Sequence, residues 1–441
     1  MKQALAAIFV LATSMAVADP LNGTYTIKKD GSGDFYSFTD AASALVTRGL
    51  SGDVVFEAYD GIYDDGVVDM RYANTAGKTV TFRPAVGQSV TVCAPGAGFI
   101  FWASGDLAPT HYIKIQGLTL KDCAGWAVCA PRCHFWTVSN CRIQTDRGIM
   151  FGGSFDSVLN CDIQVTGTTS SIGIYFAGSS GFAANNFVSG ATGMGVYTLN
   201  ASGTKLHCNT LITDSASVNA IGIYENGSRS TLRGNVIVGS LVAYSGGSFP
   251  ASSNYNCWYK HDGSENLFYV SNIRYLTMES WRSRSHLDTN SFRADPLVVD
   301  KWTDLHLQAS SPCIGSSAPI AGILTDFDGE PRDAQPDIGA DEYYPVGLVD
   351  DTSFQISECR LQIEPNPACR YVRVSLTGQA SSTCQTELRL HDASGRCVLV
   401  RPLDHSTTGP LVLDLCELSS GVYFVRVPAG SCSVTEKLVV R

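Results

Sequence analysis

Ile115-Gln116-Gly117-Leu118-Thr119-Leu120 returns as Val138-Ser139-Asn140-Cys141-Arg142-Ile143, as Val158-Leu159-Asn160-Cys161-Asp162-Ile163, as Leu206-His207-Cys208-Asn209-Thr210-Leu211 and as Leu232-Arg233-Gly234-Asn235-Val236-Ile237. Ala184-Asn185-Asn186-Phe187 and Tyr255-Asn256-Cys257-Trp258 are shorter forms of the same phrase. Taking Leu118, Cys141, Cys161, Asn186, Asn209, Asn235 and Cys257 as one column, the steps are 23, 20, 25, 23, 26 and 22 residues. A second phrase keeps the beat: Gly125-Trp126-Ala127-Val128, Gly148-Ile149-Met150-Phe151, Gly173-Ile174-Tyr175-Phe176, Gly195-Val196-Tyr197-Thr198 and Gly222-Ile223-Tyr224-Glu225. Two short strands per period, with Gly or Asn at the corners, predict an all-β chain wound as a right-handed parallel β-helix. One coil cannot bury its inward side chains alone. Coils stacked at strand spacing (~4.8 Å) build a continuous core and let Asn or Cys repeat as a ladder. A propeller would need four strands and about 40 residues per unit.

Working outward, such a solenoid must cover its open ends, because bare strand edges recruit other chains. Phe38-Thr39-Asp40-Ala41-Ala42-Ser43-Ala44-Leu45-Val46 reads as an amphipathic helix that plugs the N-terminal end, followed by the strands Val54-Val55-Phe56-Glu57-Ala58 and Thr79-Val80-Thr81-Phe82-Arg83. Beyond the repeat stand Asp295-Pro296-Leu297, Leu305-His306-Leu307, Ser311-Pro312-Cys313-Ile314-Gly315, Asp326-Phe327-Asp328-Gly329 and Asp337-Ile338-Gly339-Ala340-Asp341-Glu342-Tyr343. This run, residues 293 to 343, resembles the closing segment of secreted right-handed β-helix proteins of the pectin-lyase-like class. The resemblance bears on architecture and leaves chemistry open.

The two termini read as addresses. Lys2 precedes an apolar run from Ala4 to Val17, and Ala16-Val17-Ala18 offers the small residues of a signal-peptidase site. Near the other end, Ile363-Glu364-Pro365-Asn366-Pro367 opens a set of alternating strands. Leu388-Arg389-Leu390-His391-Asp392-Ala393-Ser394-Gly395-Arg396, the stretch from Leu415 to Val427, and Thr435-Glu436-Lys437-Leu438-Val439-Val440 follow, the pattern of a small Ig-like sandwich. Together they resemble the C-terminal sorting domain of the type IX secretion system. That resemblance implies export to the surface or medium of a Gram-negative bacterium, with the secretion machinery as partner. The expected organisation is a signal peptide over residues 1–18, the β-helix with its cap and closing segment over 19–345, a linker over 346–358 and the sorting domain over 359–441. No later apolar stretch reaches the ~20 residues needed to cross a bilayer.

The formal net charge is −10, and the tail from 359 to 441 carries more basic than acidic residues, so the body holds the acidity. An acidic body lacks the counterion-release term that drives binding to a polyanion, which argues against a nucleic-acid partner. Fifteen cysteines suit an oxidising compartment and are expected as disulfides or as buried stacked thiols. Cys123, Cys129, Cys133 and Cys141 lack the paired spacing of a zinc site.

Asp30-Gly31-Ser32-Gly33-Asp34-Phe35 and Gly61-Ile62-Tyr63 resemble the opening of pectin methylesterases, which use two aspartates and an arginine. Their nucleophile phrase, Asp-Phe-Ile-Phe-Gly, finds its nearest match in Gly148-Ile149-Met150-Phe151-Gly152, with glycine in place of the aspartate, and their Gly-Arg-Pro-Trp phrase is absent. Esterase chemistry is therefore not expected. A lyase would need a base and a calcium-binding carboxylate cluster. Arg142, Asp162, Lys205 and Arg233 do not supply one. Asp156, Asp162, Asp214 and Glu225 are the carboxylates from which a glycosidase pair could be drawn. The eight histidines are scattered, so no catalytic residue, metal or cofactor is assigned.

One feature points to a ligand surface. Tyr175, Tyr197 and Tyr224 each follow a buried aliphatic, and Ala243-Tyr244 extends the series. If Ile174, Val196 and Ile223 point inward, alternation puts these rings outside as a row facing successive sugars. A one-residue slip would put them all inside. The leading expectation is a non-catalytic surface protein that binds extracellular glycan through Tyr175, Tyr197, Tyr224 and Tyr244, or serves adhesion. The alternative is a diverged polysaccharide lyase or glycoside hydrolase.

Overall fold

The computed structural model describes residues 19–344 and, in the tail, residues 360–364, 366–368, 371–377, 386–392, 397–403, 411–415, 418–429 and 432–440. The expected signal peptide, 1–18, and linker, 346–358, lie outside the described residues. The chain divides into two compact units, Met1–Tyr343 and Tyr344–Arg441.

The first unit is a parallel β-helix of three ten-stranded sheets. The first sheet runs from Leu21–Ile27 to Ser252–Asn254, the second from Gly61–Tyr63 to Phe292–Arg293, and the third from Val68–Asp69 to Ile273–Tyr275. Each coil therefore has three strands where the sequence suggested two. The reason lies in the first phrase, which holds two strands folded about a corner, as in Ile113–Gln116 and Thr119–Lys121. At that corner Gly117, Asn140, Asn160, Asn185, Cys208, Gly234 and Tyr255 all take positive φ, from 51 to 69°. Glycine and asparagine enter this left-handed region at least cost, so they punctuate the repeat.

Inward positions alternate as expected for strands. Leu206, Leu211 and Ile223, one from each sheet of a coil, are 0% exposed, and burying each contributes about 1.5–3 kcal/mol. The residue after the corner forms a polar seam inside this core. Asn186 Nδ2 donates to Asn209 Oδ1 at 2.8 Å, Asn209 Nδ2 to Asn235 Oδ1 at 3.0 Å, and Asn235 Nδ2 to Asn256 Oδ1 at 3.1 Å. The last member is thus Asn256, one place before Cys257, which pairs with Val236 on the strand beyond. Cys161 Sγ donates to Val138 O and Leu159 O, as Asn209 Nδ2 does to Ala183 O and His207 O one to two coils on. The thiols are short substitutes for the amide in the same seam.

Both ends are plugged by helices. Phe38–Arg48 starts at Ser37, whose hydroxyl accepts from Asp40 N–H, and stops at Gly49 with φ 68°. It buries Phe38, Ala41, Ala42, Ala44 and Leu45 on the first coils, with Phe38 edge-on to Tyr63 at 5.1 Å. At the far end Met278–Ser285, a helix the sequence reading did not find, lays Trp281 flat on Phe268 at 4.1 Å. Between the second sheet and solvent runs the closing segment. Val298, Leu305, Leu307, Cys313, Ile338 and Ala340 pack on outward residues of that sheet such as Phe187, Val236 and Cys257. It is a lengthwise cover as well as a terminus, held by a buried Arg332–Glu342 ion pair at 3.2 Å with both side chains 4% exposed. Asp326 accepts from Glu330 N–H and Glu342 N–H and so holds the turn between them.

All nine body cysteines are buried unpaired thiols, so between the two readings, disulfides and buried thiols, the second describes this unit. Burial pushes the Cys123 thiol up to about 11 and those of Cys129 and Cys133 up to about 12.

The named strands of the second unit pair antiparallel. Arg360–Glu364, Tyr371–Thr377 and Leu411–Asp414 form one sheet. Cys397–Leu403, Thr386–Asp392, Gly421–Ala429 and Cys432–Val440 form the other. Val372, Val374, Leu388, Leu390, Val425 and Leu438 fill the core of a small β-sandwich.

Candidate functional site: the outer face of the third sheet

The third sheet settles the register of the tyrosines. Its inward column pairs Ile149 with Ile174, Ile174 with Val196, and Val196 with Ile223, none more than 1% exposed. The neighbouring column pairs Met150 with Tyr175, Tyr175 with Tyr197, and Tyr197 with Tyr224, and these three rings are half-exposed. Tyr175 and Tyr197 stack at 4.7 Å and 8°, and Tyr197 and Tyr224 at 5.3 Å and 25°. Trp126 continues the stack from the preceding side, 6.1 Å from Tyr175 at 30°.

Strand spacing dictates what such a ladder can present. Rings parallel to one another at one strand's separation lie face on face, so their flat surfaces are used within the ladder. The edges and the phenol oxygens face outward. A ligand on this row would meet ring edges and hydroxyls rather than ring faces. Among the described residues no hydrogen bond reaches the hydroxyls of Tyr175, Tyr197 or Tyr224, which leaves a row of donor-acceptor groups at coil spacing. Burial pushes the Tyr175 hydroxyl above the usual phenol range, and Tyr197 adds to it, so it stays protonated.

Tyr244 does not belong to this row. The strand Val242–Gly246 pairs Tyr244 with Ile223 and Ser245 with Tyr224, so Tyr244 points into the core at 0% exposure and Ser245 takes the ladder position. Ala243 therefore falls beside Gly222 in the register, one place off the aliphatic it resembled. The Tyr244 hydroxyl donates to Glu225 Oε2 at 2.8 Å, and Glu225 Oε1 accepts from Ser230 N–H at 2.9 Å.

Toward the N-terminal coils the outward column continues through Cys129 and Trp102. Phe99 stacks on Trp102 at 4.6 Å, and the Arg71 guanidinium lies 3.8 Å over the indole. Asp69 holds that guanidinium at 2.6 Å. Met194 and Ile221 pair in a second outward column beside the tyrosines. The sequence reading missed this extension because Trp102 and Phe99 stand in coils whose phrases had not yet become regular.

The acid candidates do not converge. Asp156 is 1% exposed at the corner before the first sheet, where Oδ1 accepts from Trp136 N–H at 2.8 Å and burial pushes the carboxyl up to about 8. Asp162 faces Arg142 at 3.5 Å on the second sheet. Asp214 Oδ1 caps a turn by accepting from Ala216 N–H. Glu225 is buried beneath the third sheet. Arg233 reaches across to Pro319 O in the closing segment.

Comparison with known families agrees with both units. Residues 362–441 match the family described as secretion system C-terminal sorting domain, and residues 85–291 match that described as periplasmic copper-binding protein (NosD). No curated protein matches the chain. No helix of the described residues is long and apolar enough to cross a membrane. The chain is a secreted parallel β-helix protein with a type IX sorting tail, which directs it to the cell surface or extracellular space of a Gram-negative bacterium.

Proposed function

We propose that the exported β-helix is a non-catalytic glycan-binding or adhesion protein, and that an extended polysaccharide lies along the outer face of its third sheet. The observation that carries this reading is the ladder Tyr175, Tyr197 and Tyr224, with rings prestacked at 4.7 and 5.3 Å and hydroxyl edges turned outward. A linear polymer presents hydroxyls at a regular repeat, and a rigid row of phenols exchanges hydrogen bonds with it at little conformational cost. Met194, Ile221 and the Phe99/Trp102 pair add apolar surface beside the row. The scatter of Asp156, Asp162, Asp214 and Glu225 over different faces favours binding over a two-carboxylate hydrolase.

Copper belongs to the description of the family that residues 85–291 match. In this chain two soft donors on the same face, Cys129 Sγ and Met150 Sδ, lie 4.0 Å apart. Two sulfurs alone fall short of the three or four ligands of a copper site, and the cluster of three His, Cys, Asp or Glu side chains among the described residues lies elsewhere, so the sulfur pair is read as packing.

The test is a panel of soluble and insoluble polysaccharides, scored at once for retention, for new reducing ends and for unsaturated-uronate absorbance. Retention without product is the expected result. Reducing ends or absorbance at 1:1 with added protein removed as a contaminant source would replace binding by the hydrolase or lyase reading.

A further inference from the structure

Where the closing segment crosses the second sheet, it gathers groups that lie far apart in the sequence. His306 Nδ1 meets Asp304 Oδ1 at 2.5 Å, and His306 Nε2 meets Asp328 Oδ2 at 2.8 Å. One ligand atom each from His306, Asp328 and Asp341 lie within 4.8 Å of one another. Asp341 is 5% exposed and accepts one hydrogen bond, from Leu307 N–H at 2.8 Å, and the described residues supply no other. Beneath them Asp162 feels the charges of His306 and Asp304, and its own partner is Arg142. Phe187 and Phe327 wall one side, with Phe187 4.9 Å from the imidazole.

We propose that His306, Asp328 and Asp341 form a binding site for a divalent transition cation of the zinc class. Three features of the geometry lead there. Four carboxylates, of Asp162, Asp304, Asp328 and Asp341, surround one imidazole and one guanidinium, so negative charge remains in excess even with His306 protonated; a dication removes it. Asp341 is a buried carboxylate with lone pairs still to fill, and its ligand atom lies within 4.8 Å of those of His306 and Asp328. Asp304 holds the opposite ring nitrogen, and a metal-bound histidine characteristically donates its second N–H to a carboxylate, which fixes the ring and raises its basicity. On binding, the cation takes the Nε2 lone pair and the imidazolium proton leaves to solvent, while Nδ1–H stays on Asp304. One nitrogen with two carboxylates suits Zn²⁺ or Mn²⁺ better than Ca²⁺, which seeks six to eight oxygens. The cation would tie together residues 304–307, 326–328 and 341, clamping the cover segment to itself. Asp328 and Asp304 are half-exposed, which leaves a path from solvent.

The experiment is calorimetric titration of the EDTA-stripped full chain with Zn²⁺, Mn²⁺, Ca²⁺ and Cu²⁺, run in two buffers of different ionisation heat. The expected result is one equivalent of Zn²⁺ bound with release of about one proton. Asp328→Asn should weaken binding at least about tenfold in a protein that still unfolds cooperatively without metal. His306→Gln should abolish it, and Asp304→Asn should weaken it, which keeps the test alive should the histidine variant fail to fold. Absence of saturable Zn²⁺ or Mn²⁺ binding would overturn the proposal, as would tighter binding of Ca²⁺. Binding of any of the four ions with unchanged affinity in Asp328→Asn and Asp304→Asn would place the ion elsewhere and overturn it equally.

Discussion

Replacing Asn209 by leucine tests how the coils are held. The side chain is 1% exposed and near leucine in volume, so the change removes hydrogen bonds with little cavity. Asn209 Oδ1 accepts from Asn186 N–H at 3.1 Å and from Asn186 Nδ2 at 2.8 Å, and Asn209 Nδ2 donates to Asn235 Oδ1. Leucine leaves those two Asn186 donors buried without that acceptor, at about 1–3 kcal/mol each, or roughly 4 kcal/mol together. A cooperative unit of roughly 320 residues unfolds with an entropy near 0.7 kcal/mol/K, so the melting temperature should fall by about 6 °C. The control is Asn226→Ala, an exposed asparagine on the next strand of the third sheet, whose change should stay within about 0.5 kcal/mol and a degree. Cys161→Asn should be tolerated, since it lengthens the amide seam by one coil. Differential scanning calorimetry of the four proteins reads the result. Equal melting of Asn209→Leu and Asn226→Ala would refute the seam.

Further outcomes follow from the same structure. Deleting residues 359–441 should leave a folded body retained in the periplasm, read by fractionation of the producing cell; normal extracellular levels would remove the sorting role. Thiol reagents should leave the nine body cysteines unmodified in the native protein and modify them in denaturant without reductant, because all nine are buried and unpaired; silence in denaturant would mean disulfides. Burial raises the folded-state pKa of Asp156 to about 8, far above the usual aspartate range, so the folded state binds its proton more tightly. Its contribution is fully present below about pH 4 and is lost as pH rises toward 8, with a slope up to ~1.4 kcal/mol per pH unit. Asp156→Asn keeps the acceptor for Trp136 N–H and should flatten the fall of melting temperature between pH 5 and 8. Parallel curves for the parent and this variant would contradict a neutral buried Asp156.

The coil was legible because its corners are chemically expensive: a left-handed residue every turn and an amide seam leave Gly, Asn and Cys at a steady beat. The number of strands per coil was not, since Gln116 and Thr119 flank a bend that one-dimensional spacing cannot distinguish from a continuous strand. For the same reason Cys257 stood in for Asn256. The tyrosine row could be read as either face, because alternation fixes relative direction and only burial of Ile174, Val196 and Ile223 fixes the absolute one. Tyr244 then failed by a single place. The His306 cluster was illegible for a different reason. Asp162 lies on a repeat strand while Asp304, His306, Asp328 and Asp341 come from the cover folded over it. Asp304-Leu305-His306, with both acidic and basic side chains on one face of a strand, was the local signal available.

The most direct measurement is the affinity of the parent for its best-retained glycan beside two triple variants of Tyr175, Tyr197 and Tyr224, one to phenylalanine and one to alanine. The phenylalanine variant keeps the stack and loses only the outward hydroxyls. Three hydrogen bonds at about 0.5–1.5 kcal/mol each predict affinity weaker by roughly 10- to 1,000-fold, with an unchanged melting temperature. The alanine variant should bind no better and melt lower, for want of three stacked pairs, Trp126 on Tyr175 included, worth about 0.5–1.5 kcal/mol each. Undiminished affinity in both folded variants would contradict a ligand on the tyrosine edge.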